Sequence, residues 1–363
     1  MLYKKFKDIE LSTLGMGNMR LPVTEDKEID YPKAKAIIDQ AYKDGINYYD
    51  TAYIYHGGKS EEFVGKALKE YPRDSYYVAT KFNINAQPDY KKQFSEQLER
   101  LDMDHVDFYL LHGVGDQNAE RFKECGCIEY FDSMKKEGKI TYFGFSYHGR
   151  PACLREFIKL YPFDFVQIQF NYYDYDHFVA KELYEILAEA NIPVMVMEPV
   201  HGGLLANLCD EAKAVMPVQY SLASYAMRFV KQFPAIQVVL SGMGTVEQML
   251  DNVATFSDTT PLTDEELTAI HKACDIQYSK VTVPCTGCNY CAPNCPMGLE
   301  IPYLLQQYND AKIGGAWRLA TLAALPEDKL PSNCIQCGSC SANCPQSFDI
   351  PSYLQDLVSM MPK

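Results

Sequence analysis

The 363 residues exceed the ~250 to 300 at which a single hydrophobic core stops growing, so one large domain and a smaller one are expected. Apolar residues make up 47%, a globular composition, and a formal net charge of -14 without a Lys/Arg-rich window excludes the electrostatic footprint of a nucleic-acid or anionic-lipid binder. The start, MLYKKFKDIELSTLG, lacks the apolar core of a signal peptide, and no apolar run reaches the ~18 residues of a membrane span, so a cytoplasmic protein is expected.

In chain order, strand-like runs appear at 11–17, 47–51, 76–81, 106–112, 141–146, 166–171, 194–199 and 237–242. Helical candidates such as YPKAKAIIDQAYKDG, KSEEFVGKALKEY, YKKQFSEQLERL and AKELYEILAEAN lie between them, with apolar residues at helical spacing and Gly, Asn or Pro near their ends. Eight alternations of strand and helix predict an α/β fold, a closed parallel (β/α)8 TIM barrel over residues 1–275. A doubly wound sheet would call for G-x-G-x-x-G after an early strand, and GMGNMR lacks the third glycine.

The stretch 47–68, NYYDTAYIYHGGKSEEFVGKAL, runs from an apolar strand ending at Asp50 through a loop carrying Tyr55 into a helix from Ser60, with Glu61 and Glu62 in its dipole-favoured first turn. Other strands end in polar groups too: Lys81, His112, Ser146, Gln167 with Asn171, Glu198 and Ser241. In a parallel barrel these ends converge on one mouth, where barrel enzymes keep their chemistry. His148 and His201 follow strand ends and are pocket candidates, and residues 113–127 read as a long polar loop over the mouth. Cys125 and Cys127 in that loop read as ordinary thiols, because two ligands without nearby partners make a poor metal site.

Past residue 276 the texture changes. Two segments each carry C-x2-C-x2-C-x3-C-P, repeating at a fixed offset: Cys285, Cys288, Cys291, Cys295 and Pro296, then Cys334, Cys337, Cys340, Cys344 and Pro345. Zinc is the plainer alternative, but it usually takes two separated C-x2-C pairs, whereas this run is the one by which ferredoxins hold two 4Fe-4S clusters. In such ferredoxins the fourth cysteine serves the other cluster, which implies Cys285, Cys288, Cys291 and Cys344 for the first and Cys334, Cys337, Cys340 and Cys295 for the second. The helical character of IPYLLQQYNDAKIGGAWRLATLAAL between the copies resembles the mainly α-helical ferredoxin-type module, expected over 276–363.

On DTAYIY, ATK and FYLLHG, which carry Asp50 with Tyr55, Lys81 and His112, the first domain resembles the aldo-keto reductases, and the whole chain resembles their subgroup ending in a dicluster ferredoxin-type domain. The resemblance implies interconversion of a small-molecule carbonyl and its alcohol. Tyr55 would then act as proton donor, with its pKa (ordinarily ~10) lowered by Lys81, Asp50 pairing with Lys81, and His112 orienting the substrate oxygen. It also implies a nicotinamide held by Ser146 and Gln167, with Ser241, Gly242, Met243, Gln248 and Asn252 at the adenosine phosphate end. Tyr147 stands where the family often has Asn, Met197 where a stacking ring is usual, and Gly242 and Gln248 where cations commonly hold the ribose phosphate. NADP(H), NAD(H) and a flavin therefore stay open. The clusters would exchange single electrons with the barrel or an electron-transfer partner protein, the alternatives being a structural or docking iron-sulfur domain and a redox-sensing regulatory protein.

Overall fold

In the computed structural model, which describes residues 1–314, 319, 322 and 325–361, the chain opens with a hairpin of β1 (Tyr3–Phe6) and β2 (Ile9–Ser12). Phe6 pairs with Ile9 across the two-residue turn Lys7-Asp8, with Lys7 at φ 51°. Sequence reading folds the second hairpin strand into a single run at 11–17. The chain breaks at Thr13, and only β3 (Leu14–Gly17) joins the barrel. No glycine marks the hairpin turn, so the usual signal is absent.

The barrel continues through β4 (Tyr48–Asp50), β5 (Tyr77–Phe82), β6 (Val106–Val114), β7 (Ile140–Tyr147), β8 (Phe165–Gln169), β9 (Val194–Met197) and β10 (Ile236–Ser241). Each pairs in parallel with the next, and β10 pairs with β3, so the expected eight-stranded (β/α)8 barrel closes. The expected helices form at Tyr31–Lys43, Lys59–Leu68, Tyr90–Leu101 and Ala180–Glu189. Asp30 and Asp89 cap two of them by accepting from backbone N-H groups of the first turn. The stretch 113–127 is not a plain loop: β6 runs on to Val114, and Ala119–Glu124 is helical.

Side chains two apart on a strand share a face. Tyr48, Ala79, Phe108, Leu110, Tyr142, Phe165 and Met195 meet inside the barrel toward the amino-terminal ends of the strands, joined there by Phe6 and Leu11 of the hairpin. The Phe6 ring lies 5.5 Å from that of Phe108 and 5.0 Å from that of Tyr142, closing this end with carbon. Two residues past Tyr48, Ala79, Leu110 and Phe165 the same face carries Asp50, Lys81, His112 and Gln167.

The chain divides into two compact units, Met1–Pro199 with Val218–Asp264, and Val200–Pro217 with Glu265–Lys363. The second contains the helices Ile301–Gly314 and Ile350–Met360, each starting with a buried isoleucine followed by proline directly after a cysteine run. Leu304, Leu305, Leu354 and Leu357 pack with Cys291 and Cys340 in one core. Tyr308 donates to Asp356 at 2.7 Å, tying the two helices together. Most of the linker after Gly314, up to residue 324, lies outside the described residues.

Candidate active site

Asp50 and Lys81 stand one step above Tyr48 and Ala79 on the interior face. The Lys81 ammonium, without solvent exposure, donates to Asp50 Oδ1 and to the Thr51 carbonyl, both at 2.6 Å. Burial lowers the lysine and raises the carboxyl, and in each case the partner's charge opposes the shift. Asp50 Oδ2 is buried with no hydrogen-bond partner.

After Asp50 the chain turns sharply. His56, Gly57 and Gly58 all have positive φ, and the helix Lys59–Leu68 follows. Thr51 and Ser60 share a hydrogen bond of 2.8 Å, Ser60 donates to the Asn18 carbonyl, and Asn18 Nδ2 donates to the Asp50 carbonyl at 3.0 Å. These bonds hold Tyr55, 8% exposed, with its ring centroid 5.0 Å from Lys81 Nζ and 5.9 Å from the His112 ring, edge to face. Glu61, expected only to face the helix dipole, is fully buried: it accepts from Thr80 at 2.5 Å and Gln97 at 2.7 Å, and pairs with Arg100. Gln97 Nε2 also donates to the Lys81 carbonyl at 3.0 Å, so this network fixes the backbone that carries the lysine.

Burial first, then the charge of Lys81, pushes His112 well below the ordinary histidine range, so its imidazole is neutral. Asn83 Nδ2 lies 3.5 Å from His112 Nδ1, while Asn83 Oδ1 accepts from the N-H groups of Asn85 and Ala86, which fixes which end of the amide faces the ring. An amide nitrogen only donates; Nδ1 is therefore the acceptor and the ring proton sits on Nε2. Asn83 went unnoticed in the sequence, although its position two residues after Lys81 was the available signal.

Ser146 and Gln167 continue the interior ring. Ser146 accepts from Gly113 N-H at 2.8 Å. Gln167 Nε2 faces Met197 Sδ at 3.5 Å, and its Oε1 is buried without a hydrogen-bond partner. A buried amide oxygen lacking a donor, with a hydroxyl nearby in the ring, fits a ligand carboxamide such as that of nicotinamide. Tyr147 turns aside and donates to the Arg150 carbonyl at 2.7 Å.

Ser241 follows interior Leu240 and so faces the other way, accepting from Asn252 at 2.9 Å. Thr245 caps the helix Val246–Ser257, Met243 is buried, and Gln248 folds back to accept from Gly244 N-H at 2.8 Å. A Cβ on Gly242 would lie 3.2 Å from Arg20 Cβ, which brings an unpredicted cation, paired with Glu198 at 4.0 Å, beside this loop. Asn171 lies beyond its strand, caps the helix Tyr172–His177 and donates to the Glu198 carbonyl. His148 is half-buried, with a pKa lowered to about 4 by burial against the opposing charge of Asp174. His201 belongs to the second unit. Cys125 and Cys127 both donate to the Phe122 carbonyl.

In the second unit, Cys295, Cys334, Cys337 and Cys340 line one cavity. Burial and then the neighbouring Cys288, Cys285 and Cys344 thiols push Cys291 up to about 12. The fourth cysteine of the first run thus sits with three cysteines of the second, and Cys344 near three of the first, a gathering of thiols that fits 4Fe-4S chemistry. Among the described residues no group of three or more His, Cys, Asp or Glu forms a site for a single metal ion.

Comparison with known proteins agrees with this geometry. The family model "Aldo/keto reductase family" matches residues 13–275, and "4Fe-4S dicluster domain" matches 284–348. The chain is 29% identical over 301 residues to the "Uncharacterized oxidoreductase YqkF" of Bacillus subtilis, covering 72% of this chain and 92% of that protein. It is 27% identical over 224 residues to the "NADH-specific methylglyoxal reductase" of Escherichia coli, covering 55% and 67%. The solved aldo-keto reductase AKR11C1 from Bacillus halodurans (holo form) superposes with a TM-score of 0.63 at 29% identity, covering 75% of this chain and 96% of that one. The chain belongs to the aldo/keto reductase family, as an NAD(P)-dependent oxidoreductase carrying a 4Fe-4S dicluster domain after its barrel.

Proposed function

We propose that the protein interconverts a small-molecule carbonyl and its alcohol at Asp50, Tyr55, Lys81 and His112, and that two 4Fe-4S clusters exchange electrons with this site or with a partner protein. The observation carrying the reading is the buried Lys81 ammonium, 2.6 Å from Asp50 and 5.0 Å from the Tyr55 ring. A nicotinamide bound at Ser146 and Gln167 would supply the hydride for reduction of the carbonyl carbon. Tyr55 gives its phenolic proton to the oxygen that becomes the alcohol, and in oxidation the phenolate takes it back. Lys81 stabilises that phenolate, and Asp50 holds Lys81 in place. Neutral His112 donates from Nε2 to the same oxygen and orients it without adding a second charge.

Ser146 and Gln167 would hold the carboxamide, with Gly242, Met243, Gln248 and Asn252 toward the phosphate end near Ser241. The lack of a cation at Gly242 and Gln248, with Arg20 beside the loop, supports use of NAD(H) as well as NADP(H), and the relative from Escherichia coli is named for NADH. The clusters would be held by Cys285, Cys288, Cys291 and Cys344, and by Cys334, Cys337, Cys340 and Cys295, and would move electrons one at a time. The functional division is a reductase domain at 1–275 and an electron-transfer domain at 276–363. Among the described residues no helix is long and apolar enough to cross a membrane, and a cytoplasmic setting suits the reduced thiols.

Anaerobic titration with NADH or NADPH while watching cluster absorbance tests the reading. Bleaching is expected with wild-type protein, and a panel of aldehydes should be turned over. Tyr55→Phe should lose carbonyl turnover by about 10²-fold or more while still binding nucleotide. Full turnover in that variant would end the assignment. Carbonyl reduction with clusters that stay oxidised would instead take the iron-sulfur domain out of the catalytic path.

A further inference from the structure

The two cysteine runs are sequence copies, yet their surroundings differ. In the second, Ile335 is 60% exposed and Cys337 lies at the surface. In the first, the equivalent Thr286 is 4% exposed and Cys288 is partly buried. The cover comes from the turn that follows β9. A Cβ on Gly202 would lie 2.1 Å from the Thr286 carbonyl oxygen, closer than any side chain tolerates, and Gly202 has φ 65°. Its neighbour His201, buried and at φ 46°, donates from Nε2 to the Pro284 carbonyl at 3.0 Å, one residue before Cys285. Asn309 grips Val283 from another side, accepting from its N-H at 2.8 Å and donating to its carbonyl at 2.7 Å. Further along the turn, Cys209 N-H donates to Gln277 at 2.8 Å and Glu211 pairs with Lys280 at 2.9 Å, anchoring it to the helix Asp264–Lys280. Strained backbone held in place by its surroundings marks a constrained role.

We propose that Val200–Gly203 is the outer wall of the first cluster's site, clamping the Pro284–Thr286 peptide so that the two clusters are unequal, the first covered by chain leaving the barrel strand and the second open to solvent. The inference rests on the ligand sets above and uses no carbonyl turnover in its test. Cys291→Ser and Cys340→Ser identify the electron paramagnetic resonance signal of each cluster in dithionite-reduced protein. If Cys291→Ser and Cys344→Ser remove different signals, the ligand sets fail, and the clamp is then judged on whichever signal Cys285→Ser removes.

Gly202→Ala should lose the first signal only, with iron falling from about eight to about four per chain. Gly203→Ala is the control: Gly203 has φ 103° but nothing within 4 Å of its would-be Cβ, so it shares the backbone strain without the collision and should keep both signals. Exposed to air, wild-type protein should lose the second signal before the first, and His201→Ala, which removes the donor to Pro284, should reverse or equalise that order. Both signals kept in Gly202→Ala, or both lost together, would overturn the proposal. Should that variant not fold, equal decay of the two wild-type signals in air would overturn it.

Discussion

A lysine with no solvent exposure is among the costliest side chains to place in a core, and Lys81 is tolerated because Asp50 and the Thr51 carbonyl receive its charge. Asp50→Asn should therefore destabilise by about 3 to 5 kcal/mol in urea denaturation at neutral pH, since the ammonium stays buried without its counter-ion. Its folded pKa then drops further below 10.5, so the unfolded chain binds the extra proton and the variant should regain stability steeply as pH rises toward that value. His148 carries the same sign in a lower window. Between about 4 and 6.5 the unfolded chain protonates this imidazole while the folded one does not, so stability falls as pH drops through that range. His148 faces Asp174 and lies near His112, whose own dependence has the same sign and persists in a variant. His148→Gln should lose less of its urea midpoint between pH 7 and pH 5 than wild type. Asp50, Lys81 and His112 were legible because each follows an apolar run at its end. Asn83, Asn18 and Arg20 were not, because an asparagine or arginine just past a strand looks the same in sequence whether it points to solvent or inward.

The barrel's helices pack on backbone as well as on side chains. A Cβ on Gly65, in the helix Lys59–Leu68, would lie 2.2 Å from the Leu101 carbonyl oxygen at the end of the helix Tyr90–Leu101. Gly65→Ala should cost about 1 to 3 kcal/mol, measured by thermal unfolding, and should move the loop bearing Tyr55 with its helix. Strand positions were legible from their apolar runs, because buried parallel strands carry few polar residues and the breaks between them are abrupt. The hairpin was not. Its four apolar or aromatic residues are diluted by Lys4, Lys5, Lys7, Asp8 and Glu10, and the packing partners of Phe6, such as Phe108 and Phe165, are more than a hundred residues away. Glu61 was misread for a related reason: its partners Thr80, Gln97 and Arg100 come from other elements, so local sequence offers only the dipole as an explanation.

At the scale of the molecule, the second unit's core is built partly of the cysteines proposed to hold the clusters: Cys291 and Cys340 are buried in it, with Cys285, Cys295, Cys334 and Cys344 packed against it. Stripping iron with a chelator in air should expose residues 265–361 to limited proteolysis while the barrel's cooperative unfolding transition remains, because metal binding in such modules is a large part of folding free energy. Undiminished resistance would mean the apolar helices suffice alone. The order of synthesis adds a consequence of its own. The second unit is discontinuous, taking Val200–Pro217 from within the first, and β10, which closes the barrel on β3, emerges only after that piece. A ribosome-bound chain thus holds the early piece of its iron-sulfur unit for more than sixty residues before the first cluster cysteine appears. Barrel closure and iron loading are interleaved in time, so a delay in cluster delivery should leave Val200–Pro217 waiting for the rest of its unit after the barrel has closed.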